Sequence, residues 1–494
     1  MVNFSITELP EVFVSDTSIS RAVSAAAARG ELRKLSSRLY TKNLDEDPQS
    51  LVQRHWYSLL SAYFPDALIT DRTAIENQPA QDGSVFLISA KTREVALPGL
   101  TFRPRTGPPP LPSDQPFMSV RLASTARAWL ENMRASRSRA GKAARTLSPA
   151  EREARLDTML RIQGEDALNR LRDDARALAP ELGLEQEADQ LAGLIGTLLG
   201  TRNAPVTTAA GKARAAGRPF DPERIKLFEA LFAALRDHMP TDRPAPRRAA
   251  IDNSNLSFFE GYFSNFIEGT QFAVQEAIDI VFHGAIPADR PQDAHDVLGT
   301  FRACSDQDDM RHPPGNNDEF IQMLKARHAI FMAERTDKRP GEFKLKPNHV
   351  GTRQFVLPDL VIGTLERGYE FLNALEPPFC RAVFMMFLIS EVHPFTDGNG
   401  RAARLMTNAQ LAIGDQERLI IPIVYRDNYL SALRALTQNA NPIPLIRMLD
   451  YVQAYTHAID WSDLDNATTT LERTYAFADP EEARLIMPDQ VPTT

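Results

Sequence analysis

A chain of 494 residues exceeds what one ordinary core accommodates, so two or three domains of roughly 100 to 200 residues are expected. With 43% hydrophobic and 24% charged residues it falls in the soluble globular range, which excludes disordered, fibrous and membrane-embedded classes. A net charge of −8 argues against general coating of nucleic acid and leaves room only for a local basic face.

The longest apolar run, Val383 to Ile389, is far shorter than the roughly 20 residues that span a bilayer, so no membrane span is expected. The start, Met1-Val2-Asn3-Phe4-Ser5, lacks the basic, apolar and small-residue regions of a secretory signal, and cytoplasmic residence is the expectation. Cys304 and Cys380 stand far apart, which suggests neither a disulfide framework nor a zinc site.

In chain order, the first element is a short helix over Ser18 to Arg29, with Ile19, Val23 and Ala26 or Ala27 on one face and Gly30 placed for a left-handed cap. Leu32 to Leu35 and Leu39-Tyr40 read as two strands joined by a turn at Ser36-Ser37-Arg38. A helix followed by a basic hairpin suggests a winged helix within an α+β region of residues 1–100. The phrase Arg29-Gly30-Glu31-Leu32-Arg33-Lys34-Leu35, leading into Leu39-Tyr40, resembles the N-terminal module of AbiEi-type antitoxins and regulators. That resemblance would let Arg21, Arg29, Arg33, Lys34 and Arg38 meet DNA phosphates. The alternative is a solvated basic face on a protein-binding module.

Ser84 to Ala96 is strand-rich, and the proline-dense stretch from Arg103 to Pro112 reads as a loop. Residues 117–205 turn helical, with Ser148, Pro149 and Glu151 supplying an N-cap, a first-turn proline and a capping box. The basic run Arg134, Arg137, Arg139, Lys142 and Arg145 carries no interleaved aromatics and reads as an exposed, mobile face. Residues 206–217, rich in Ala, Gly, Thr and Arg, read as a linker and mark the main boundary. Beyond it, apolar periodicity in Ile225 to Leu235, Phe320 to Met332, Leu360 to Leu372 and Phe379 to Ile389 predicts an all-helical domain over 218–456. Gly341 to Lys346 and Gly351 to Val356, joined by Pro347-Asn348-His349, suggest a hairpin flap over 341–356. Residues 457–494 read as a C-terminal tail. The fold class is therefore mainly α, with an α+β N-terminal region.

The chemistry concentrates in His393-Pro394-Phe395-Thr396-Asp397-Gly398-Asn399-Gly400-Arg401-Ala402-Ala403-Arg404. This run lies between an apolar helix and a second helix, so its glycine turn would fall at a helix N-terminus, where free amides hold an anion. Arg401 and Arg404 share one face of the following helix, and their planar forks suit phosphate oxygens. Asp397 supplies one carboxylate, enough for Mg²⁺ when substrate phosphates and water complete its shell. An imidazole at His393 can take the proton of an attacking alcohol.

These twelve residues resemble the Fic family signature, HPFxDGNGRxxR, at every defined position. The resemblance covers about half the chain, from Arg218 to Tyr455, and implies a compact helical core. It implies His393 as the catalytic base, with Asn399 and Arg401 also in the catalytic set. Gly398, Asn399, Gly400, Arg401 and Arg404 would hold the phosphates of ATP, Asp397 would hold Mg²⁺, and Phe395 would sit buried beneath the loop. The flap would clamp a target segment by strand addition. Tyr429 follows Arg426 as in many relatives, whereas Leu430 stands where an adenine-stacking tyrosine is often found.

Ser264-Asn265-Phe266-Ile267-Glu268-Gly269 resembles the inhibitory motif of the same family: Ser or Thr, three free positions, Glu, then Gly or Asn. The resemblance implies that Ser264, Glu268 and Gly269 form a brake in which Glu268 pairs with Arg404 and fills the γ-phosphate position. The implied activity is transfer of AMP from ATP to a Ser, Thr or Tyr hydroxyl of an unidentified target protein. Two alternatives stay open: a DNA-binding, antitoxin-like regulator with a nucleotide-sensing core, and a phosphodiesterase that removes AMP. A homodimer is also left open. No GxxxxGK[ST], HExxH or GxSxG pattern supports another enzyme class.

Overall fold

The computed structural model describes residues 6–138, 141–202, 204–246, 250–351 and 353–491, so Arg139 of the basic run and Thr352 of the expected flap lie outside the described residues. The chain divides into two compact units, Met1–Gly217 and Arg218–Thr494.

The first unit opens with strand β1 (Val12–Val14), the helix Ser20–Ala28, and strands β2 (Arg33–Ser36) and β3 (Leu39–Thr41). The strands form an antiparallel sheet in the order β1-β3-β2. Gly30 takes φ +76° just past the helix, and the Glu31 amide closes on Ala26 O at 3.1 Å, so the expected left-handed stop is present. The basic residues of this hairpin are largely engaged inside the chain. Arg29 pairs with Glu31 at 2.8 Å, Arg33 donates to Glu46 O at 3.1 Å, and Arg38 donates to Ser15 O at 2.8 Å. Arg21 and Lys34 remain exposed.

A second sheet of six strands follows: β4 (Leu68–Ile69), β5 (Ser84–Ile88), β6 (Val95–Leu97), β7 (Leu100–Arg105), β8 (Gln115–Phe117) and β9 (Val120–Leu122), in the order β6-β7-β5-β4-β9-β8. It corrects two expectations. Pro104 is in a strand rather than a loop, pairing with Leu87 of β5. The Thr101 amide points to β5, so residue 104 turns its nitrogen the other way, where β6 has already ended opposite Phe102 and no ladder bond is lost. The region expected to be helical from residue 117 instead begins inside a hairpin, which turns through Met118 at φ +56° before the first helix starts at Thr125.

The helices Thr125–Met133, Pro149–Gln163, Glu165–Leu182 and Glu185–Leu198 pack around Trp129, Leu130, Leu156, Leu168 and Leu191. Ser148 and Glu151 close the expected capping box, with the Ser148 amide reaching Glu151 Oε2 at 2.7 Å. The expected linker contains a helix, Ala209–Ala215. Thr208 caps it through the Gly211 amide at 2.9 Å, and the Glu153 carboxylate anchors the Thr207 and Thr208 amides at 2.7 and 2.8 Å. Of the basic run, Arg134, Arg137 and Lys142 are exposed; Arg134 pairs with Glu187 at 3.0 Å, and the partly buried Arg145 with the buried Asp71 at 2.7 Å.

The second unit is helical. Its central helix, Pro378–Val392, is apolar on most of its surface, with Arg381, Ser390 and Glu391 as the polar exceptions, as befits a largely buried helix. Phe384, Met385, Leu388 and Ile389 are fully buried. The helix Asn399–Ile413 packs beside it, and Pro222–Arg236, Asn317–Phe331, Val361–Asn373, Arg426–Asn439 and Ile443–His457 complete the shell. A second cluster forms around the aromatic helix Ala250–Ile267. Residues expected to be a tail belong to this cluster: Trp461, Leu471 and Leu485 are buried in it, and Phe477 stacks on Phe263 at 5.3 Å. That packing holds in place the helix end that carries Ser264.

The flap also departs from expectation. Its hairpin consists of β10 (His349–Val350) and β11 (Arg353–Gln354). Gly341 to Lys346 does not pair with them. It runs against the signature loop instead, where Phe343 bridges Phe395 and the Lys344 amide donates to Pro394 O at 2.9 Å. Among the described residues, no helix is long and apolar enough to cross a membrane.

Candidate active site

The central helix ends at His393, whose φ of 53° and ψ of 59° place it in the left-handed region. A non-glycine residue there is strained by about 1 kcal/mol or more and must be held by its surroundings. The ring of Phe355 stacks flat on the imidazole at 3.8 Å with a 7° tilt. His393 Nδ1 lies 3.4 Å from Ser390 O. A proton on Nδ1 satisfies that carbonyl and leaves the Nε2 lone pair free. Burial, aided by the Lys344 charge, holds the His393 pKa down at about 4, so the imidazole is neutral at pH 7.

Beyond His393 the loop is locked from inside. The Asn399 side chain accepts from the Phe395 amide at 2.8 Å and donates to Phe395 O at 2.9 Å. Asn399 therefore shapes the loop through both ends of its amide. Phe395 is fully buried, as expected, and stacks on His328 at 3.6 Å with a 3° tilt. His328 Nε2 meets Asp397 O at 3.0 Å, while its Nδ1 accepts from the Gly341 amide at 2.9 Å. Protonating Nδ1 would break the second bond, and burial pushes the His328 pKa down to about 4.

Asp397 projects outward, with Oδ1 accepting from the Gly398 amide at 2.6 Å. Gly398 at φ +73° starts the helix Asn399–Ile413, and a Cβ there would press on Met332 Sδ at 2.9 Å. The turn thus needs glycine for both conformation and space.

Arg401 and Arg404 lie at the base of this turn, each 4% exposed. Arg401 pairs with Asp296 at 3.2 Å and lies over the Phe331 ring at 5.4 Å. Arg404 donates Nε to Ser264 Oγ at 2.9 Å and Nη2 to Ser264 O at 2.9 Å and Glu268 Oε1 at 2.7 Å. Arg401 Nε and Arg404 Nη1 are buried and find no hydrogen-bond acceptor among the described residues. Two buried guanidinium groups with donors to spare, beside a helix N-terminus, are an arrangement able to hold an anion.

The Glu268 carboxylate lies directly over that N-terminus, since a Cβ on Gly400 would collide with Glu268 Oε1. The helix Ala250–Ile267 stops just before Glu268. Gly269, at φ +94°, closes its amide on Phe266 O at 3.0 Å, and the Thr270 amide on Asn265 O at 3.1 Å. Gly269 thereby provides the left-handed turn that ends the helix and points Glu268 inward. So the structure brings His393, Asp397, Gly398, Asn399, Gly400, Arg401 and Arg404 together with Ser264, Glu268 and Gly269. Sequence reasoning missed His328, Lys344, Asn348, Phe355 and Asp296. Lys344, Asn348 and Phe355 lie inside the expected flap and His328 inside an expected helix, but none was singled out, because each is a single residue with no local pattern around it.

Residues 320–411 match the Fic/DOC family, and the chain carries a Fic domain there. It is 26% identical over 212 residues to protein adenylyltransferase fic-1 of Caenorhabditis briggsae, covering 41% of this chain and 40% of that protein. Its identity to fic-1 of Caenorhabditis elegans is 26% over 211 residues, with the same coverage. The chain thus spans about two-fifths of the length of these curated relatives. A solved structure of Fic-1 residues 134–508 from C. elegans aligns with 65% of this chain and 98% of its own at 19% identity, with a TM-score of 0.37.

Proposed function

We propose that the unit Arg218–Thr494 is a protein adenylyltransferase, which moves AMP from ATP to a Ser, Thr or Tyr hydroxyl of a target protein and is restrained by Glu268. The observation that carries this reading is the pair of buried guanidinium groups with unused donors at the start of the helix Asn399–Ile413, in the same twelve-residue run as a neutral imidazole. The relatives named as protein adenylyltransferases support it.

In the proposed reaction the glycine turn at Gly398, the backbone amides of Asn399 and Gly400 and the two arginines hold the triphosphate. The target oxygen attacks the α-phosphorus. A new phosphorus–oxygen bond forms to the target, the bond from the α-phosphorus to the bridging oxygen breaks, and pyrophosphate leaves. His393 Nε2 takes the hydroxyl proton. A pKa of about 4 is low for this task, but the negative charge of a bound triphosphate favours the imidazolium and raises the pKa toward the working range. Asp397 suits Mg²⁺, because its exposed carboxylate has one oxygen on the Gly398 amide and the other open to a cation that phosphates and water would complete. That ion would supply charge neutralisation on the phosphates.

Glu268 opposes this arrangement. Its carboxylate takes a donor of Arg404 and covers the helix N-terminus, so a γ-phosphate would meet both a filled space and a like charge. The test is incubation of the Glu268→Gly protein with Mg²⁺ and either α-labelled or γ-labelled ATP in a lysate. Retention of the α label alone on protein is expected. Retention of the γ label would identify phosphoryl transfer and overturn the proposal.

A further inference from the structure

Lys344 is an ammonium group that the signature does not include, placed where a charge is expensive. It is 2% exposed and has no carboxylate partner among the described residues. Its Nζ donates to His393 O and Asn348 Oδ1, both at 2.7 Å, and approaches Val392 O at 3.5 Å, while its own backbone amide donates to Pro394 O at 2.9 Å. One residue therefore binds three successive carbonyls, those of Val392, His393 and Pro394, across the strained turn. Asn348 extends the brace by donating from Nδ2 to Phe395 O at 3.0 Å.

The Val392 and His393 carbonyls are among those the end of this helix leaves unpaired, and a cation at a helix C-terminus is favourable there. The consequence reaches further than capping. His393 holds φ 53° only because something over-determines it, and rotation about its backbone would swing the imidazole off the Phe355 face. We propose that Lys344 is a positioning residue for proton transfer, holding the His393 backbone in its left-handed conformation through the Val392, His393 and Pro394 carbonyls. Its charge acts on the same ring: burial and the neighbouring Arg224 push the Lys344 pKa down to about 7, and its ammonium in turn disfavours the His393 imidazolium. The other charged groups that act on His393, Glu268 and Asp397, work in the opposite sense.

The inference rests on His393 acting as the base in the proposed reaction, but one arm of its test does not need activity. In the full-length chain with ¹³C-labelled histidine, and with the His393 signal assigned by its loss in His393→Ala, the His393 pKa is measured in the parent and in Lys344→Met. Removing the ammonium is expected to raise that pKa from about 4 toward the ordinary value. An unchanged pKa overturns the proposal whatever the enzyme does. In the Glu268→Gly background, Lys344→Met is expected to lower kcat by about ten- to hundredfold with the KM for ATP unchanged, and to move the acid limb of the rate profile to higher pH. Lys344→Arg, which keeps the charge and the donors, is expected to recover part of the rate and return the limb. A uniform loss at every pH, or a rise in KM with kcat intact, would contradict the positioning role. A parent that transfers no label would instead sink the adenylyltransferase reading and leave the titration to decide about Lys344.

Discussion

Replacing Glu268 by glycine removes one charge-assisted hydrogen bond, from Arg404 Nη2 to Glu268 Oε1 at 2.7 Å. Such bonds contribute about 1.5 to 3 kcal/mol. With the Glu268 side chain 33% exposed, solvent screening places this one near the lower limit, about 1.5 kcal/mol, which corresponds to about a tenfold change in productive ATP binding. The gain exceeds that figure if the space vacated above Gly400 also matters. Arg404 itself stays in place, because Ser264 keeps both of its bonds to the guanidinium. Residue 268 follows the last residue of its helix, so the helical cost of glycine does not apply. The expected result is therefore at least tenfold more labelling of targets or of the chain itself from α-labelled ATP, with little change in melting temperature. Glu268→Gln, which keeps the shape and discards the charge, should activate less than glycine. Labelling that does not rise in Glu268→Gly would refute the restraint.

His393→Ala should abolish transfer and leave ATP affinity, read by isothermal titration, nearly intact. Loss of nucleotide binding there would show that the residue is not the base. Asn399→Ala strands the buried Phe395 amide at a cost of about 1 to 3 kcal/mol, while Asn348 still serves the Phe395 carbonyl, so it should lower both melting temperature and kcat. Stability should also depend on acid. His328 and His393 both titrate near 4 in the folded chain and near 6.5 when unfolded, so between those values the unfolded state binds more protons and stability falls as pH falls. Glu11 and Glu151, held near 2, keep their contribution above about 4.5 and lose it as pH falls from there toward 2, which overlaps only the acid edge of that window. Calorimetric melts at pH 7, 5.5 and 4.5 should show the decline; melting temperatures independent of pH across that interval would contradict it.

The catalytic loop was legible because its chemistry is contiguous: base, carboxylate, glycine turn and two arginines occur within twelve residues, and a local pattern survives translation into a loop between helices. Glu268 was legible from its spacing to Ser264 and Gly269, although what aims it, the left-handed stop at Gly269, acts through geometry that no residue count expresses. Lys344 and His328 were not legible. Their importance lies in which carbonyls they reach, and those lie 49 and 69 residues further along the chain. The errors elsewhere have similar causes. Pro104 looked like a strand breaker because the sequence does not reveal that β6 ends before it. The stretch 206–217 looked like a linker because its helix depends on Glu153, a partner 54 residues away. The C-terminal residues looked like a tail because Trp461 and Leu485 face a core built by an earlier helix.

The central claim is that the loop beginning at His393 grips a triphosphate so that its innermost phosphorus is attacked. Intact-mass measurement of the Glu268→Gly protein, after incubation with ATP and Mg²⁺, tests this most directly. The account predicts a mass increase equal to one AMP group, abolished by adding His393→Ala. An increase equal to one phosphate, or an AMP adduct that forms equally well without His393, would contradict it.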